Sequence, residues 1–139
     1  MEDGPGHAFL NTDRYQPGYY MRNILEYNWL AVTGACLMME RSKFDRVGRF
    51  DETFPIAYND IELCFRSVDA GYFNVVCQAA ELYHHESVSR GVDHLDEEKA
   101  QRLLREKRRL NEKHPRYYQY DPFFNINLHP NGINFEIGC

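Results

Sequence analysis

Asp60 and Glu62 stand two residues apart in YNDIELCFR, residues 58–66, where an apolar helical pattern begins. A carboxylate in the first turn of a helix is stabilised by the helix dipole and by unpaired backbone N–H groups, so Asp60 could serve only to start the helix. The same position fixes a carboxylate in direction and favours its ionised form. That suits a general base taking a proton from an incoming hydroxyl. Glu62 falls ~200° around the helix from Asp60, so the two do not readily share one substrate atom or one metal ion. Glu62 reads instead as a capping partner for Asn59, three residues before it, and as the i,i+4 ion-pair partner of Arg66.

His84 and His85 form the next candidate, in ELYHHE. On a strand, adjacent residues point to opposite faces, so one could bind a metal while the other is packed or exposed. Two histidines at a strand end followed by Glu86 are also common surface residues. The sequence contains no H-x-x-x-H, H-E-x-x-H or cysteine knuckle, so it does not spell out a complete metal site. In SVSRG, Ser87, Ser89 and Arg90 could hold a phosphate through hydroxyls and a guanidinium, or form an ordinary turn. No glycine-rich phosphate loop occurs.

Several elements must position these residues. Ile61, Cys64, Phe65 and Val68 recur at helical spacing, and Gly71 closes that helix. Upstream, WLAVTGACLMMER is a nearly continuous apolar run, predicted as a strand buried on both faces, with Gly34 leaving room for something to approach the backbone. SKFDRVG predicts a short helix capped by Ser42, with Asp45 three residues on and Gly48 at its end. YFNVVCQAAELYHHE predicts a second strand. A charged helix is expected from about Asp93 to His114, acidic in its first turns, basic in its last and stopped by Pro115. Its thin stripe of Ala100, Leu103, Leu104 and Leu110 suits a solvated helix packed on one side, with polyanion binding as the alternative. Residues 1–28 read as an irregular arm. Residues 93–139 read as a helix and a tail packing through Phe123, Phe124 and Phe135.

The 139 residues suit one domain, and 43% apolar with 27% charged residues allows a globular core. A net charge of −5 argues against a general nucleic-acid binder. Ten Tyr raise the aromatic share to 14%, serving core packing or clefts for rings and sugars. Cys36, Cys64, Cys77 and Cys139 form no C-x-x-C pair; reduced, buried thiols and a cytoplasmic setting are expected, with the inner face of the membrane as a variant. The first residues do not read as a signal peptide, and the longest apolar run is too short for a membrane span.

The order VTGACLMMERSKFDRVGRFDETF, YNDIELCFRSVDAGYFNVV, ELYHHESVSRG, from about Ala31 to Gly91, resembles the C-terminal half of family-two glycosyltransferases with the GT-A fold. The tail DPFFNINL also resembles the ends of bacterial members that build polysaccharides. The resemblance implies an α/β fold, α+β in this stretch, with a small mixed sheet flanked by helices. It implies that Thr33, Gly34 and Ala35 border the sugar and acceptor cleft and that Asp60 is the catalytic base of inverting transfer. Asn59 stands where the family has Glu. His84, or His85, would help bind a divalent metal, manganese or magnesium, and Ser89 and Arg90 would lie near the donor diphosphate. The partners implied are a nucleotide-sugar donor and a carbohydrate acceptor. The chain has no Asp-x-Asp metal motif. It is therefore expected to be one partial domain, inactive alone and lacking the N-terminal nucleotide-binding half. Its exposed sheet edge could then pair in a homodimer. The alternative is a non-catalytic carbohydrate-binding or assembly module.

Overall fold

The computed structural model describes residues 6–85, 97–129 and 135. In the described residues four helices and one two-stranded sheet surround a small core: α1 (Arg41–Arg46), α2 (Asn59–Asp69), α3 (Glu97–Lys113), α4 (Pro115–Gln119), β1 (Asn28–Trp29) and β2 (Asn74–Val75). The mixture fits an α+β stretch. β1 and β2 pair antiparallel, Asn28 opposite Val75 and Trp29 opposite Asn74.

Helix α2 is central. Glu62, Leu63, Cys64, Phe65 and Ser67 are all buried, so it is enclosed on more than the one face its apolar spacing indicates. Phe65 joins Leu30, Phe54, Leu110 and Tyr117 in the core, with Tyr58, Ile61 and Val68 packed against them. Gly71, at φ +83°, ends the helix in the left-handed region as expected. Asn74 ties sheet to helix: its buried amide donates to Leu30 O at 3.0 Å and to Cys64 O at 3.1 Å.

The two predicted strands shrink to two residues each. After Trp29 the chain leaves the sheet, and Gly34–Cys36 form a 3₁₀ turn. Strand β2 ends at Val75, and residues 81–85 are exposed and irregular. Apolar character alone is no strand signal where no neighbour completes the ladder, and Met38 is 99% exposed. The run 29–40 is therefore not a strand buried on both faces.

Helix α1 begins after Glu40 with no side-chain cap; Ser42 turns its hydroxyl to the Glu40 carboxylate and does not cap it. Gly48 does end it, at φ +89°. Pro115 does not simply stop the charged helix. With no N–H to lose, it occupies the first turn of α4, and α3 and α4 pack together. The part of that helix expected before Glu97 lies outside the described residues. Leu110 is fully buried, but Leu104 is 54% exposed, so the apolar stripe is narrower than its spacing indicates.

The tail folds back on the arm. Phe135 is stacked with Tyr19, ring centroids 5.5 Å apart, and lies 5.1 Å from Phe9 and 5.4 Å from Phe124. Arg22 donates to Phe123 O at 2.8 Å across the join. Among the described cysteines only Cys64 is buried; Cys36 and Cys77 are exposed and free, and Cys139 lies outside the described residues. The expectation of uniformly buried thiols fails because Cys36 sits in the 3₁₀ turn and Cys77 beyond β2. No described helix is long and apolar enough to cross a membrane.

Candidate functional site

Asp60 lies in the first turn of α2 and is half-buried. The cap is Tyr58, in the left-handed conformation at φ 60°, whose carbonyl accepts the Glu62 N–H at 2.8 Å. Asn59 is thus inside the helix rather than capping it; its side-chain oxygen accepts the Asp60 N–H at 2.7 Å. A bulky residue in the left-handed region is strained, so the turn into α2 must be held by its surroundings.

The Asp60 carboxylate is anchored on both oxygens. Oδ2 accepts the Gly34 N–H at 2.6 Å, and Oδ1 accepts the Ile61 N–H at 2.8 Å. An ionised carboxylate has about four acceptor positions, so each oxygen keeps one for another partner. Gly34 is the close approach that its missing side chain signals: a Cβ there would stand 3.0 Å from Asp60 Cβ and 3.2 Å from Oδ2. Thr33 caps the 3₁₀ turn by accepting the Ala35 N–H at 3.3 Å. Thr33, Gly34 and Ala35 are exposed and meet Asp60 as a turn, not as a strand. Beside Gly34 a concavity of about 270 Å³ is lined by Leu37, Met39, Phe44 and Phe50, with Arg41 on its wall. One helical turn past Asp60, burial pushes the Cys64 thiol up to about 11, so it is inert as a nucleophile near neutral pH.

Glu62 diverges from Asp60 completely. It is fully buried and takes Arg66 on both oxygens, Nε lying 2.9 Å from each. Lys113 Nζ stands 2.6 Å from Oε1, and His114 Nε2 3.2 Å from it. Glu62 is therefore a buried hub and not the helix cap expected of it, although its pairing with Arg66 is as its spacing indicates. Burial opposes the Glu62 charge, but the hydrogen bonds from Arg66, Lys113 and His114 outweigh it and hold the carboxyl below the ordinary range. Lys113 also bonds Asp51 at 2.6 Å, which holds that carboxyl well below its ordinary range. Arg66 continues to the backbone after α1, donating to the carbonyl of Val47.

His84 and His85 are both exposed and lie outside any strand, so the argument that they face opposite sides of a strand does not apply. Among the described residues no group of three or more His, Cys, Asp or Glu could hold a metal ion. Ser87, Ser89 and Arg90 lie outside the described residues. Glu106, Lys113 and His114 carry no signal in local spacing: they come to Ala57 and Glu62 only through the fold. A second cleft, of about 580 Å³, opens between arm and tail, lined by Tyr19, Tyr20, Arg22, Tyr27, Phe124 and Asn125 among others.

Comparison with known proteins gives several relatives over parts of the chain. The chain is 41% identical over 124 residues, 88% of its length and 14% of the relative's, to uncharacterized protein y4gI of Sinorhizobium fredii. It is 45% identical over 71 residues, 50% of this chain and 6% of the relative, to the O-antigen biosynthesis protein RfbC of Myxococcus xanthus. It is 40% identical over 65 residues, 47% of this chain and 20% of the relative, to the N-acetylglucosaminyl-diphospho-decaprenol L-rhamnosyltransferase of Mycobacterium tuberculosis. Over about half its length, then, the chain is similar to proteins named for glycan synthesis and glycosyl transfer, and it spans a fifth or less of each of these relatives. No family model matches it, and no solved structure does.

Proposed function

We propose that these residues form the acceptor side of a glycosyltransferase domain of the GT-A type, which transfers a sugar with inversion from a nucleotide-sugar donor to an acceptor hydroxyl. The observation that carries this reading is Asp60, half-buried at the start of α2, oriented by the Gly34 and Ile61 N–H groups and retaining acceptor capacity on both oxygens. The relatives named for glycan chemistry support the reaction class.

In this reading Asp60 removes the proton of an acceptor sugar hydroxyl as that oxygen bonds to the donor's anomeric carbon. The bond to the nucleoside diphosphate breaks, and its electron pair leaves with the diphosphate. Thr33, Gly34 and Ala35 border the acceptor, and the concavity beside Gly34 receives a flanking part of it. Ser89 and Arg90 are assigned to the donor diphosphate. The described residues do not by themselves compose a metal site. His84, or else His85, would contribute one ligand to a divalent ion, manganese or magnesium, whose charge would offset that of the leaving group. The nucleotide-binding half is assigned to sequence outside these 139 residues, in keeping with the small share of each relative that the chain spans, and the chain alone is expected to be inactive.

The test is release of nucleoside diphosphate from a panel of nucleotide sugars by the intact polypeptide carrying this sequence, with and without oligosaccharide acceptors. Acceptor-dependent release that EDTA abolishes is expected; binding of oligosaccharide with no turnover of any donor would overturn the reading. The arm–tail cleft favours a second one, a carbohydrate-binding module. Its tyrosine rings and amide groups are the chemistry that stacks on and hydrogen-bonds sugars. That outcome would show as oligosaccharide binding lost in Tyr20→Ala and kept in Asp60→Asn.

A further inference from the structure

We infer that Glu106, on α3, is a positioning residue for Asp60. Its side chain is buried, at 3% exposure, and Oε2 accepts the N–H of Ala57 at 2.7 Å. Ala57 directly precedes Tyr58, the left-handed residue that starts α2. The chain of contacts is continuous: Glu106 holds Ala57, Ala57 leads into the strained turn, and the turn sets the first turn of α2, from which Asp60 reaches Gly34 at 2.6 Å. A non-glycine residue in the left-handed region is strained and persists only where its surroundings fix it. Tyr58 is fixed on one side by the core, against which its ring packs, and its backbone is fixed on the other by Glu106.

Glu106 is poorly satisfied for a purely stabilising residue. Its Oε1 accepts no hydrogen bond and is held only by an ion pair to Arg102, whose Nε stands 3.7 Å away and likewise makes no hydrogen bond. A buried carboxylate adds to stability only when its oxygens are satisfied, and an apolar side chain of similar volume usually serves as well or better. The one strong bond Glu106 makes is to the N–H upstream of the Asp60 turn. Burial first, and then the Glu106 charge, push the Tyr58 phenol up.

The inference rests on reading Asp60 as the functional carboxylate, but its test does not use transfer, so failure here leaves that reading to its own experiment. In the isotope-labelled 139-residue chain, hydrogen exchange of the Gly34 amide reports the bond to Asp60. Glu106→Met keeps the volume and removes the acceptor; exchange at Gly34 is expected to accelerate about tenfold, the loss of a typical charge-assisted bond. Glu106→Gln keeps an acceptor oxygen and should restore wild-type exchange. Leu103→Ala, a packing change on the same helix, should lower the melting temperature and leave Gly34 unchanged. If Glu106→Met fails to fold, Ala57→Pro deletes the donor from the other side and must reproduce the acceleration. Unchanged Gly34 exchange in Glu106→Met or Ala57→Pro, or equal acceleration in Leu103→Ala, would overturn the inference.

Discussion

The Asp60 carboxylate and the Gly34 backbone form one unit. The glycine is required by a close approach, since its φ is not in the left-handed region that favours glycine, and a methyl group there would stand 3.0 Å from Asp60 Cβ. Gly34→Ala should therefore displace Asp60 or the turn, cost about 1–3 kcal/mol as overpacking does, and lower transfer by at least tenfold. Urea denaturation with a parallel activity assay separates the two effects. Unchanged activity at unchanged stability would mean that the two segments move apart without consequence. Part of this unit is legible in sequence: a carboxylate at a helix start and a glycine within an apolar run. The link between them, 26 residues apart, is a hydrogen bond that only the fold creates.

Among the elements, α2 depends on charge as much as on apolar packing. The Glu62–Arg66 pair is visible in i,i+4 spacing, but Lys113 and His114 arrive from the end of α3, 51 and 52 residues away in the chain. That is why Glu62 looks like a cap in sequence and is a hub in the structure. Removing one partner of a buried ion pair leaves the other uncompensated, so Glu62→Ala should destabilise the chain by about 3–5 kcal/mol, read as a lower denaturation midpoint. The pH dependence has a fixed sign. Glu62 and Asp51 are held below their ordinary values of 4.5 and 3.8, so in acid the unfolded chain binds more protons than the folded one. The stability they contribute is complete at neutral pH and is lost as pH falls below about 4.5. Melting temperature should fall between pH 6 and pH 3, and fall less in Asp51→Asn; equal slopes would remove this network as the source. The strands were less legible than the helices. A continuous apolar run carries no periodicity, whereas α2 and α3 show theirs, and nothing local marks Tyr58 as the residue that turns left-handed.

At the scale of the whole molecule, a small core ties the described elements together. Leu110, fully buried with Leu30, Phe54, Phe65 and Tyr117, links α3 to the rest. Leu110→Ala should cost about 2–5 kcal/mol and release α3 and α4 together. Limited proteolysis would show it as faster cleavage within α3; protection equal to wild type would mean that α3 is held by its ion pairs instead. Among the described residues each strand is two residues long. The acceptor-side assignment stands or falls with Asp60. Asparagine there keeps one oxygen to accept the Gly34 N–H; its amide nitrogen cannot accept the Ile61 N–H, so the substitution removes the proton acceptor and one of the two anchoring bonds. At saturating donor, Asp60→Asn in the intact polypeptide should slow transfer by about 10²–10⁴-fold while donor affinity stays at wild type; transfer within twofold of wild type would contradict the account.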